Sequence, residues 1–282
     1  MSKFKERFME GVFLLAACVS IAAVVLICLF LFANGVPAMA EIGLGDFLFG
    51  TQWKPANQLF GILPMILGSI YVTAGAVVVG VPIGILTAIY MACYCPNPLY
   101  KILKPIVELL AGIPSIIYGF FGVVVLVPFV REHIGGKGTS IFTASLLLGI
   151  MILPTVIGVA ESAIRAVPPQ YYEGSLALGA SHERSVFFTV VPAAKSGITA
   201  GVILGIGRAI GETMAVVMVA GNQPRIPNSI LKGVRTLTAN IVMEMGYAAD
   251  LHREALIATA VVLFVFILCI NLTFSFLKRR SE

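Results

Sequence analysis

Six stretches of the chain, residues 12–34, 66–92, 105–130, 142–163, 197–221 and 255–277, are apolar for long enough to cross a lipid bilayer. About 20 residues of helix cover the roughly 30 Å hydrocarbon layer, and all six are near or above that length. Lipid offers the backbone no hydrogen bonds, so a spanning segment must be a helix or part of a closed barrel. These runs are continuous and lack the period-two alternation of barrel strands. The predicted fold is an all-α polytopic membrane protein, one transmembrane domain over residues 1–282. Composition agrees: charged residues are 12% of the chain, about half of what soluble proteins carry.

The first run follows a basic segment (Lys3, Lys5, Arg7), and Ala38-Met39-Ala40 imitates a signal-peptidase site. Its apolar stretch is longer than the 7–15 residues of a signal core, so it is expected to stay as an anchor. Six spans put both ends on one side. Lys3, Lys5, Arg7, Lys101, Lys104, Arg165, Arg184, Lys195, Lys278, Arg279 and Arg280 fall on that side. Lys54, Arg131, Lys137, Arg225, Lys232, Arg235 and Arg253 fall on the other. The bias predicts that both termini are cytoplasmic. It also accounts for the net charge of +5, so no nucleic-acid partner is implied. Cys18, Cys28, Cys93, Cys95 and Cys269 lie in or beside the spans and read as packing residues, with no zinc-site spacing and no expected disulfide.

Arg208 and Glu212 stand out in the fifth run. A charge at mid-bilayer costs roughly 2.5–3.5 kcal/mol on insertion scales, so ions there are rare without a use. Arg208 lies about 16 Å along a helix that starts near Gly197, close to the midplane. On a continuous helix the i, i+4 spacing brings the two heads together. Either they form a structural ion pair, or Arg208, Glu212 and the adjacent Thr213 are a station on an anion path. Glycines recur at four-residue spacing (Gly80/Gly84, Gly197/Gly201/Gly205, Gly207/Gly211), as expected where helices approach closely in lipid. The third run holds Pro114, which should kink its helix and aim backbone and hydroxyl groups at protein or water. Ser115 and Tyr118 are candidate lining groups.

Residues 35–65 and 222–254 are predicted outer loops. The first places Trp53 in the interfacial aromatic belt. The second repeats apolar residues at helical spacing from Val234 to Met245, which predicts a short helix lying on the outer surface. Residues 164–196 form a cytoplasmic loop. Pro168 and Pro169 can open a helix with Glu173 in its first turns, and Gly179 can end it at a bend too tight for a charged side chain. Ser181 can cap the next, and Pro192 should break that one before the fifth span. Gly135-Gly-Lys137-Gly138 fails as a phosphate loop, and Gly205-x-Gly207-x-x-x-Gly211 fails as a dinucleotide fingerprint. The chain shows no means of binding ATP, a metal or a redox cofactor.

Glu173-Gly-Ser175, then Gly179, then Pro192 resembles the EAA loop of ABC importer permeases, with Gly174 and Ser175 in place of two alanines. Ala111-Gly-Ile-Pro-Ser-Ile-Ile-Tyr-Gly-Phe-Phe121, Gly207-Arg-Ala-Ile-Gly-Glu-Thr-Met-Ala-Val216 and Val234-Arg-Thr-Leu-Thr-Ala-Asn-Ile241 are similar to the C-type permeases of phosphate-specific (Pst) systems. The resemblance implies a type I importer (MetI-like) fold in a prokaryotic inner membrane. It implies a heterodimer with an A-type permease, two copies of an ATPase subunit that uses ATP and Mg, and an external phosphate-binding protein. It also makes Glu173, Gly174, Ser175, Gly179 and Pro192 the ATPase-coupling loop, and makes Arg208 and Glu212 residues of phosphate translocation. The chain itself is then no enzyme. A permease for sulfate or molybdate would share this architecture. A stand-alone channel or secondary carrier would have no need of the coupling loop.

Overall fold

The computed structural model describes residues 3–279; Arg280 of the basic C-terminal cluster and both chain ends lie outside the described residues. Helix α1 covers Lys3–Ile42 and α2 Leu44–Phe49, and a small antiparallel hairpin, β1 (Trp53–Lys54) with β2 (Leu59–Phe60), follows. Helix α3 (Leu63–Ile89) winds on through a π-helical turn at Tyr90–Tyr94. After α4 (Asn97–Gly112), α5 (Ser115–Phe121) continues through a π turn into α6 (Val127–His133). The remaining helices are α7 (Ile141–Arg165), α8 (Pro169–Ala177), α9 (His182–Ser185), α10 (Val191–Ala193), α11 (Lys195–Gly211), α12 (Met214–Val219), α13 (Leu237–Glu244) and α14 (Asp250–Arg279).

Among the described residues, five helical segments are long and apolar enough to cross a membrane: Arg7–Ile42, Leu63–Tyr94, Ser115–His133, Ile141–Arg165 and Asp250–Thr273. The sixth expected span, 197–221, is α11 followed by α12, and it is interrupted at Glu212 and Thr213. The third differs from expectation too. Residues 97–112 form a separate amphipathic helix with Ile102, Ile106 and Leu109 exposed, and the span itself starts at Ser115.

Helix α7 is the axis of the bundle. Its residues Leu147, Leu148, Met151, Ile152 and Val156 are all buried. The predicted glycine stripes explain how neighbours reach it. A Cβ on Gly80 would lie 2.6 Å from the Gly149 carbonyl oxygen, and one on Gly84 would lie 2.8 Å from Val156. From the opposite side, a Cβ on Gly205 would lie 2.9 Å from the same Val156. Helices α3 and α11 therefore clasp α7 at backbone distance, the close approach that small residues permit in lipid. Gly207 and Gly211 behave differently, because a Cβ there would meet nothing within 4 Å. Helix α1 is peripheral: residues 7–27 are exposed, and contact with α14 is made further along, where Phe32 meets Phe264 edge-on at 6.0 Å.

The hairpin end of the bundle corrects two expectations. Trp53 does not sit in an interfacial belt. It is 5% exposed, and its indole N–H donates to Glu244 Oε2 at 2.8 Å. Helix α13 forms where the spacing placed it, yet it does not lie on the surface. Leu237, Thr238, Ala239 and Asn240 are buried, and the Leu237 N–H donates to Ser69 Oγ of α3 at 3.0 Å.

The two kinds of glycine make a testable contrast. Gly80→Ile should force α3 off α7 at a cost of about 1–3 kcal/mol, the usual range for overpacking. Gly207→Ala adds a methyl to open space and should leave the fold unchanged. Thermal stability of the purified variants in detergent reads both. Equal melting of Gly80→Ile and the unmodified protein would contradict the clasp.

Candidate functional site

The fifth span stops where the sequence placed its charged pair. Helix α11 ends at Gly211, Glu212 is extended (φ −67°, ψ 132°), and Thr213 (φ −121°, ψ −62°) turns the chain into α12. No proline causes this. Two glycines, Gly207 and Gly211, weaken the last turn, and side chains take over the freed backbone groups. Glu212 Oε1 accepts the Ala215 N–H at 3.2 Å, as a capping carboxylate does. Thr238 of α13 donates its hydroxyl to the Glu212 carbonyl at 3.1 Å, and Thr213 donates to the Gly211 carbonyl at 3.2 Å.

The interruption separates the expected pair. Arg208 is half-buried and donates Nη1 to Thr155 Oγ1 of α7 at 3.1 Å. Among the described residues it forms no ion pair, with Glu212 or any other acid. The i, i+4 pairing fails because the helix that would align the two heads ends before Glu212.

A second interruption lies beside the first. Ile113 and Pro114 are both extended, and α5 begins at Ser115. Pro114 thus ends one helix and starts another instead of kinking a single one. Tyr118, expected as a lining group, is 7% exposed and spends its hydroxyl on the Leu110 carbonyl at 2.8 Å, stapling α5 to the end of α4. Tyr118 shares a buried cluster with Ala209 and Ala215, and a Cβ on Gly119 would lie 3.1 Å from the Ala215 Cα. The two restarted helices, α5 and α12, therefore run side by side. Ser115 is half-buried at the start of α5.

At the other end of the bundle, α8, α9 and α10 form a knob. Gly179 has φ +86°, so the bend needs a residue at ease in the left-handed region. Space is not the constraint, because a Cβ there would meet nothing within 4 Å. Ser181 Oγ accepts the Arg184 N–H at 3.3 Å, as the capping expectation required. Pro192 does not break the helix. It sits inside α10, and the bend of 68° comes at Ala194. Glu173 and Gly174 are exposed, whereas Ser175 Oγ lies 3.0 Å from Ser185 Oγ and 3.4 Å from Thr189 Oγ1, joining the two arms of the knob. Leu178 (91% exposed) and Phe188 (77%) stand free on it.

Two buried carboxylates escaped the sequence reading. Glu161 of α7 is 1% exposed and accepts from Tyr100 Oη (2.7 Å), Lys104 Nζ (2.6 Å) and Arg165 Nε (2.6 Å). Arg165 also donates to the Met91 carbonyl at 2.7 Å, so three segments meet there: α4, α7 and the π turn after α3. Hydrogen bonding to Glu161 holds the Lys104 ammonium above its ordinary range. At the hairpin end, Glu244 accepts from Arg235 Nη1 (2.5 Å), His252 Nε2 (2.8 Å) and Trp53. A carboxylate within an apolar run, with Arg165 four residues on, was the available signal for Glu161. Nothing local marks Glu244.

Residues 80–282 match the family described as Binding-protein-dependent transport system inner membrane component. The chain is 36% identical to the "Probable ABC transporter permease protein YqgH" of Bacillus subtilis, over 97% of this chain and 91% of that one. It is also 36% identical to the "Phosphate transport system permease protein PstC" of Mesorhizobium japonicum, over 83% of this chain and 78% of the relative. The permease of the MetNI methionine ABC transporter, in an inward-facing conformation, shares the fold: TM-score 0.65 at 19% identity, covering 82% of this chain and all of that one. The protein belongs to the family of inner membrane components of binding-protein-dependent transport systems. Both the predicted all-α importer fold and the family resemblance are thereby borne out.

The Glu161 cluster gives a stability test. Glu161→Ala leaves Lys104 and Arg165 facing each other without their shared counter-ion, and removing one side of a buried ion pair costs about 3–5 kcal/mol. Tyr100→Phe removes one hydrogen bond and should cost about 1 kcal/mol. Thermal unfolding should rank unmodified protein above Tyr100→Phe and that well above Glu161→Ala. The reverse order would show that the cluster does not hold α4 to α7.

Proposed function

We propose that this chain is the permease subunit of an ATP-driven importer of inorganic phosphate. The observation that carries the reading is the state of Arg208. Its guanidinium lies at a helix interruption within a span, held by one neutral hydroxyl and faced by no carboxylate among the described residues. Phosphate at neutral pH is an anion that sheds most of its hydration on entering lipid and needs a cation and donors in exchange. A guanidinium presents a planar fork of N–H groups that matches phosphate oxygens. Thr155 fixes one nitrogen and leaves the rest of the fork available. Glu212, turned to the Ala215 N–H, does not neutralise it, and its negative charge nearby limits how long an anion stays. Thr213 and Ser115, at the starts of α12 and α5, belong to the same path. The open faces of Gly207 and Gly211 leave room beside Arg208. The names of several relatives refer to phosphate transport, which favours phosphate over sulfate or molybdate.

The knob is read as the contact for a partner ATPase. Glu173, Gly174, Ser175, Gly179 and Pro192 form its scaffold, and Leu178 and Phe188 are exposed apolar groups suited to a docking groove. The chain binds no nucleotide itself, so ATP and Mg belong to two copies of that ATPase. An A-type permease completes the membrane pair, and an external phosphate-binding protein delivers the anion. In this reading the knob and both termini are cytoplasmic, and the hairpin end faces outward.

Arg208→Gln should reduce phosphate uptake to background while the subunit still assembles at normal abundance. Because no Glu212 pairing exists to be restored, Arg208→Gln combined with Glu212→Gln should be equally inactive. Uptake near the unmodified rate in the double variant would refute the anion-path role. Orientation is checked separately. A cysteine replacing Lys137 should react with an impermeant thiol reagent in intact cells, and one replacing the exposed Glu183 should not. Labelling in the opposite sense would invert the map.

A further inference from the structure

Away from Arg208, the only charged residues lining one cavity are cations. It has a volume of about 250 Å³ and lies at the hairpin end, among Gly136, Lys137, Thr139, Gln223, Arg225 and Lys232. Three of these residues are basic and none is acidic. Among the described residues, Lys137, Arg225 and Lys232 take part in no ion pair. The neighbouring Arg131 is matched by Glu132 at 3.7 Å, whereas the three cations around the recess have no such partner. Arg225 donates Nε and Nη2 to Gln223 Oε1 at 2.9 and 2.6 Å, a neutral partner that orients its guanidinium without cancelling the charge.

The wall of the recess is built by backbone. Gly135, Gly136 and Gly138 all have positive φ, and a Cβ on Gly136 would lie 3.2 Å from the Leu231 carbonyl oxygen. The two lining segments are pinned to each other, since the Ile141 N–H donates to the Lys232 carbonyl at 3.1 Å. The cavity is also joined to the interruption. The Val234 N–H donates to the Ala220 carbonyl at the end of α12 (2.9 Å), and Arg235 Nε donates to the Asn222 carbonyl (3.2 Å). The start of α12, beside Glu212, is about 10 Å away at 1.5 Å per helical residue.

We propose that this cavity is an outer capture site for a small inorganic oxyanion, upstream of Arg208. The inference rests on the importer reading, which turns this end outward. A concave site lined by one sign of charge concentrates counter-ions from solution. A recess of this size, with three basic residues around it, suits a tetrahedral oxyanion better than the broad acidic face of a protein. Three cations without a shape-specific donor set should not separate phosphate from sulfate. Selection then falls to Arg208 and its surroundings.

The test reads the cavity without relying on transport. Thr139→Cys, in the assembled transporter, is labelled from outside with a negatively charged thiol reagent, and the modified position is confirmed by mass spectrometry. Inorganic phosphate and sulfate should each slow labelling severalfold, and chloride at equal ionic strength should not. Protection should vanish when Lys137→Gln, Arg225→Gln and Lys232→Gln are combined, three exposed changes that leave the core untouched. It should persist in Arg208→Gln, so a failed path at Arg208 and a failed capture site give different results. Protection no greater than with chloride, or protection that survives the triple change, would overturn the proposal. So would protection given only by the anion-free external binding protein, which would make the recess a protein-docking face.

Discussion

A backbone group left unpaired in lipid costs several kcal/mol, so a helix stops inside a membrane only where something else satisfies its ends. This chain stops one helix within a span and another just before a span begins, and it meets the cost with side chains. At the fifth span the substitutes are Glu212, Thr213 and Thr238. At the third span the Tyr118 hydroxyl takes the Leu110 carbonyl. Much of the hairpin end exists to deliver one of these groups. Helix α13 is tucked against Ser69 of α3, which sets Thr238 over the Glu212 carbonyl. The same helix ends at Glu244, where Arg235, His252 and Trp53 lock it.

The treatment of charge separates scaffold from path. Glu161 has two cations and a phenol, and Glu244 has a cation, a histidine and an indole. These clusters follow the rule that a buried ion needs partners for its charge and for its lone pairs. Arg208 breaks the rule. It has one hydroxyl and no counter-ion, next to glycines that face open space. A protein that neutralises its other buried charges this fully gains nothing structural from leaving Arg208 bare. In the function proposed above, the missing partner is the transported anion.

What could be read from sequence followed from local rules. Hydropathy located four of the spans and ran across the breaks in the other two, and Pro168-Pro169, Gly179 and Ser181 marked the knob, because helix starts and stops are decided within a few residues. The misreadings needed partners distant in the chain. Trp53 looks like an interfacial anchor until Glu244, 191 residues away, takes its N–H. Arg208 and Glu212 look like an i, i+4 pair until Thr238 and Thr155 draw them apart. Pro114 was a correct warning of a bend, but its size depended on Tyr118 and Leu110 stabilising a full break. At Gly179 the residue was right and the reason was wrong, because backbone conformation and not crowding demands glycine.

Helix α7 joins these parts. Thr155, which holds Arg208, and Arg165, which holds the Met91 carbonyl, lie on it ten residues apart, about 15 Å along the axis. The knob starts three residues beyond Arg165. Pro154 sits immediately before Thr155, and a proline there withdraws one hydrogen bond from the helix and lowers its resistance to bending. The segment from Thr155 to Arg165 is therefore a stiff arm with a soft joint at one end and the knob at the other. Glu161 fixes that arm to α4, and α4 leads directly into the second interruption at Pro114. If the knob docks a partner as proposed, this arm ties it to both breaks: through Thr155 to the one beside Arg208, and through Lys104 to the one before Ser115.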